Sequence, residues 1–104
     1  MTKHKKTDNV VELIDRISAH PGSYVGKEDL QLVASFIRGF VWAVDCSSQG
    51  DAYQEMMDFS WWLGSRFGRP RNQEWSMTLK DIYENDEKAL EMLPKLFKEF
   101  LDSK

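Results

Sequence analysis

One cysteine, two histidines and three prolines stand in a chain of 104 residues. Each scarcity excludes something. A lone thiol, Cys46, closes no disulfide and builds no cysteine-rich zinc site. His4 and His20 have no partner at metal-ligand spacing, and no HExxH, GxSxG, CxxC or Walker pattern occurs. No catalysis, cofactor or metal is therefore expected. No apolar run approaches the ~20 residues of a membrane span. The lysines of "MTKHKKTDNVVELID" precede no apolar segment of a signal peptide, so a cytoplasmic location without membrane contact is expected. Basic excess is missing too: the formal net charge is −3, the wrong sign for a nucleic-acid coat. Repeats and low-complexity segments are absent.

What the chain has is apolar and aromatic mass, at 41% hydrophobic and 12% aromatic with four tryptophans. That is enough for one core without covalent staples. Helical spacing runs almost throughout. Residues 1–6 read as a flexible polar tail and residues 7–104 as a single helical domain. Thr7 or Asp8 can cap a first helix carrying Val10, Leu13, Ile14 and Ile17; it must stop near Ala19, because Pro21 disfavours helical geometry at His20. Val33, Phe36, Ile37, Phe40, Val41 and Val44 mark the central core helix, which starts after Gly26 and is broken near Gly50. A third helix, from about Asp51 to Phe67, carries Ala52, Met56, Phe59, Leu63 and Phe67 inward, with Tyr53, Met57, Trp61 and Gly64 broadening the stripe. In "WSMTLKDIYEN" a strand-like alternation competes with a helix capped by Ser76. A last helix starts at Asn85 and contains Pro94, which should kink it. The expectation is an all-α, bundle-like single domain of four to five helices.

The stretch "HPGSYVGKEDL" raises a question of chemistry. Its "HPGSYVG" resembles the "RPGMYIG" run of the ATP-binding domain of type II topoisomerases, but only over seven residues. The other motifs of that family and its β-sheet are missing. A shaped corner between antiparallel helices accounts for the same residues.

A second resemblance covers nearly the whole chain. A "PG-x-Y-x-G" corner (Pro21, Gly22, Tyr24, Gly26) leads into Leu30, Phe36, Ile37, Gly39 and Phe40. Phe59, Trp62, Leu63, Arg66, Phe67 and Trp75 follow, then an acidic C-terminal helix. This pattern resembles small helical immunity proteins of bacterial contact-dependent inhibition and other polymorphic toxin systems. Ser23 stands where a bulky apolar residue is expected. The resemblance implies a cognate toxin domain as partner, possessing a basic cleft where it is a nuclease. An acidic inhibitor surface would speed that encounter.

Two acidic clusters are candidates for it. Asp45, Asp51, Glu55 and Asp58 form the first. Asp81, Glu84, Asp86 and Glu87 form the second. For each, the plainer reading is a solvated helix face or a favourable first turn. Spacing puts Trp62 with Glu55, Asp58, Ser65 and Arg66 on the polar face, where it is a binding anchor unless another helix or the "GRPRNQ" loop covers it, while Trp61 can point inward. Arg66, Arg69 and Arg71 around Pro70 read better as a salt-bridging loop than as an RNA site. Two other classes stay open: a helical adaptor or regulatory module, and an enzyme or nucleotide binder. The aromatic surface could also serve a homo-oligomer.

Overall fold

The computed structural model describes residues 6–48 and 51–104. Its helices are α1 (Lys6–Ala19), α2 (Pro21–Val25), α3 (Leu30–Ser48), α4 (Ala52–Phe67), α5 (Trp75–Ile82) and α6 (Asp86–Asp102). The chain is all-α, with no strand among the described residues. Six helices stand among the described residues where four to five were expected. The additional one is α2, a single turn that the corner sequence hides. Lys6, expected in the tail, opens α1; residues 1–5 and the break expected at Gly50 lie outside the described residues.

Local chemistry sets most boundaries. Pro21 occupies the first position of α2, and Gly26 ends it at φ 89° with its N–H donating to the Gly22 carbonyl. The Asp29 carboxylate accepts from Leu32 N at 3.0 Å and opens α3. Asn85 accepts from Lys88 N at 2.8 Å and opens α6, where the sequence places the start. At α5 the cap is Glu74, not Ser76. The Glu74 carboxylate accepts from Ser76 N at 3.1 Å, and Ser76 is buried inside the helix. The helix wins over the strand alternation because Trp75 and Leu79, one turn apart, are both buried while Met77 is exposed. α6 remains one helix through Pro94.

α3 touches every other helix. Its Leu30, Val33, Ala34, Ile37 and Val41 meet Ile14 and Ile17 of α1, Phe59 and Leu63 of α4, and Leu90, Leu93 and Phe97 of α6 in one core. α6 runs along α1, and α5 packs on α4. The radius of gyration is 13.2 Å, close to the ~13 Å of a compact chain this long. Phe36, expected in this core, is instead 39% exposed, its ring edge-on to Tyr24 at 5.7 Å. Phe40 is only half-buried. The inward arc of α3 is already filled by its five buried residues, so side chains on the flanks reach the surface.

One compositional expectation changes. By length and composition alone, Leu30–Ser47 is apolar enough for a membrane span, yet 28% of it is buried in the fold. Much of α3 is thus apolar and uncovered.

Candidate functional site

Of the two tryptophans of α4, Trp62 is the one another helix covers, and Trp61, expected to point inward, is exposed. Trp62 is half-buried: its ring lies 6.3 Å from Phe59 and 6.0 Å from Phe100, with the Arg66 guanidinium 6.0 Å above it. Trp61 is 54% exposed. The reason is the position of α6. Ala52, Met56, Phe59 and Leu63 define the inward arc of α4, and Trp62 lies about 90° to one side, where Phe100 covers it. Trp61 points almost opposite to the core. The residues expected to broaden the inward stripe do not do so: Tyr53 is 54% and Met57 42% exposed. Gly64 alone of that row is covered. A Cβ there would come within 2.8 Å of the Pro70 carbonyl oxygen and 2.9 Å of Arg71 Cα, so the glycine admits the following loop.

Tyr53, Met57 and Trp61 recur every four residues and form an exposed ridge along α4. Beside it, between α4, α3 and α5, runs a shallow groove of 160 Å³. Ala34, Ile37, Val41, Met56, Ser60 and Trp75 are among its lining residues. The Ser60 hydroxyl donates to the Met56 carbonyl at 3.1 Å and accepts from Trp75 N at 3.0 Å, so the polar atoms of the floor are already satisfied. Arg38 and Glu74, 3.6 Å apart, close the far wall. Trp61, Arg71 and Asn72 line an adjoining depression.

The first acidic cluster divides in two. Asp45 accepts from Ala52 N at 2.9 Å and from Tyr53 N at 3.0 Å, capping α4 from seven residues upstream. Glu55 is 8% exposed and pairs with Lys104 Nζ. These two carboxylates are engaged in the fold. Asp51 and Asp58 are exposed and make no ion pair among the described residues; Asp58 only accepts from Gln54 Nε2 at 2.9 Å. Helical spacing places Asp58 beside Trp61, on the side away from the groove.

The second cluster is scattered. Asp86 accepts from Leu30 N at 3.0 Å, tying α6 to α3. Asp81 accepts from Arg69 at 2.7 Å and from Gln73 at 3.1 Å, and these bonds hold its carboxyl below the usual carboxylate range. Glu84 and Glu87 are exposed. Among the arginines of the loop, Arg66 pairs with Glu99 at 3.3 Å and Arg69 with Asp81, which leaves Arg71 without an ion pair among the described residues.

The corner at His20–Leu30 borders an open depression of 580 Å³. Asp15, Glu28, Glu87 and Glu91 line it against Lys27 alone. That charge repels phosphate, so the geometry gives a nucleotide no cradle there. No His, Cys, Asp or Glu group suited to a metal ion occurs among the described residues.

The ridge and groove of α4 are what sequence reasoning missed. The four-residue recurrence of Tyr53, Met57 and Trp61 is visible in the sequence, but a stripe of that kind looks the same whether it faces core or solvent. Comparison with known proteins matches no family model, no curated protein and no solved structure.

Proposed function

We propose that this chain is a non-catalytic binding protein that neutralises a partner, in the manner of an immunity protein against a toxin domain, and that the outer face of α4 is its contact surface. The observation that carries the reading is the exposed ridge of Tyr53, Met57 and Trp61, flanked by Asp51 and Asp58 with no ion pair among the described residues to hold them. Aromatic and methionine side chains beside charge are the composition of interface anchors. Asp51 and Asp58 draw a basic partner in, and Trp61 fixes it once docked. The resemblance of the corner and core pattern to immunity proteins supplies the class of partner. Asp51, Asp58 and Trp61 carry the contact, whereas Asp45, Glu55 and Trp62 hold α4 in place and Asp86 ties α6 to α3.

The test is protection. The protein domain encoded next to this chain's gene is expressed in a sensitive host, with and without the chain. Growth arrest relieved by the chain, and restored by Trp61→Ser or Asp58→Arg in a variant of unchanged helicity, is the expected result. A neighbouring domain that is harmless, or a toxic one against which the chain gives no relief, removes the reading.

A further inference from the structure

α3 presents a second uncovered surface, on the side of the molecule away from its buried row. Leu32 is 40%, Phe36 39% and Trp42 69% exposed. Ser35 and Gly39 lie between them, Ala43 and Cys46 continue the face beyond Trp42, and all four are exposed as well. The stretch Leu30–Ser47 holds only two charged residues, Arg38 and Asp45. Both are turned to the α4–α5 flank, where Arg38 meets Glu74 and Asp45 caps α4. The outer face is therefore apolar and free of charge. Trp42 makes no aromatic or cation–π contact among the described residues.

We infer that this face docks a second copy of the same chain, by crossing α3 on α3 about a two-fold axis at Gly39. Three observations lead there. The first is charge: two copies of a molecule of net charge −3 repel wherever their acidic faces meet, and α3 offers them a face with no charge to oppose. The α4 face would set Asp51 and Asp58 against their own images. The second is register. A two-fold contact must be self-complementary, residue i meeting j while j meets i. With the two helices antiparallel and the axis at Gly39, helical spacing sets Trp42 over Ser35 of the second copy, Ala43 over Phe36, and Cys46 level with Leu32. Each aromatic ring thus lies against a small side chain of the other copy on either side of the crossing.

Gly39 is the third observation. It sits in the middle of a 19-residue helix, where glycine costs stability, and a Cβ built on it meets nothing within 4 Å. The fold of one chain gives no reason for a glycine there. A second backbone brought close at that point does. The exposed parts of Leu32, Phe36 and Trp42 and the small residues beside them amount to roughly 1,000 Å² from both copies together, the low end for a specific interface. The dimer is accordingly reversible and concentration-dependent.

Sedimentation equilibrium across a concentration series tests it, with the full chain and two substitutions at one residue. The wild type is expected to pass from monomer to dimer, and Gly39→Glu to remain monomeric. Gly39→Ala is the decisive variant. It should raise the melting temperature of the dilute monomer, because alanine favours an open helical site. It should also raise the dimer dissociation constant at least ten-fold, because the added methyl keeps the backbones apart. A wild type that is monomeric at every concentration overturns the proposal, and if it then partitions onto neutral phosphatidylcholine vesicles through Trp42 the face belongs to lipid instead. A dimer indifferent to Gly39→Glu but dissociated by Trp61→Ser overturns it as well, placing the contact on α4.

Discussion

Trp61 and Trp62 are adjacent in the chain and opposite in role. About 100° of helical rotation separates them, and α6 lies on one side only. The cost of losing each should therefore differ. Trp62→Ala removes contacts with Phe59 and Phe100 and leaves Arg66 only the Phe67 ring. Because the ring is half-buried, we expect a loss of about 2–3 kcal/mol, below the range for a fully buried tryptophan. Trp61→Ala should stay within about 0.5 kcal/mol of wild type, as an exposed side chain does. Urea unfolding followed by far-ultraviolet circular dichroism measures both. Equal destabilisation by the two substitutions would mean that the ridge is part of the core and not a contact surface. A fully buried reference is Phe59, around which Trp62, Trp75, Phe97 and Phe100 all pack; Phe59→Ala should cost about 3–5 kcal/mol.

Helix boundaries show what the sequence makes legible and what it hides. The start of α6 at Asn85 is readable because its cap is local, three residues from the N–H it accepts. The inward rows of α1 and α4 are readable because their buried residues repeat at helical spacing. The start of α4 is different. Asp51 occupies the capping position but makes no side-chain cap, and the bonds come from Asp45 across the intervening turn. Nothing in a linear pattern distinguishes a carboxylate that folds back from one that faces water. Charge clusters in the sequence therefore overstate the acidic surface: Asp45, Glu55, Asp81 and Asp86 each find a partner within the chain. Asp45→Ala should destabilise by about 1–2 kcal/mol, whereas Asp51→Ala should change little. Thermal melts of the pair check this, and the opposite order would return the cap to Asp51. The α5 end has its own signature in pH. Hydrogen bonds from Arg69 and Gln73 depress the Asp81 pKa. A depressed carboxyl adds stability above its unfolded pKa and loses it as pH falls through the folded value, so the contribution fades below about pH 4. The acid limb of the stability curve should be shallower in Asp81→Asn.

At the scale of the whole molecule, two exposed faces differ in charge, and this separates their work. The outer face of α3 is neutral and suits a like-charged copy. The α4 face is acidic beside its ridge and suits a basic partner. Asp51→Lys with Asp58→Lys shifts the formal charge from −3 to +1, since each exchange adds two units. Neither carboxylate holds an ion pair among the described residues, so the melting temperature should hardly move. Association with a basic toxin domain should slow about ten-fold at low ionic strength and regain most of that loss near 0.5 M salt, where the Debye length is only a few ångströms. Dissociation should change much less, because Trp61 and Met57 remain to hold the docked partner. Trp61→Ser should do the reverse, leaving encounter intact and hastening release. Stopped-flow association and dissociation rates of the two variants therefore form a cross. Charge-reversed protein that associates at the wild-type rate in low salt would show that the partner meets another surface. Loss of binding in both variants, together with loss of helicity, would assign the α4 residues to folding.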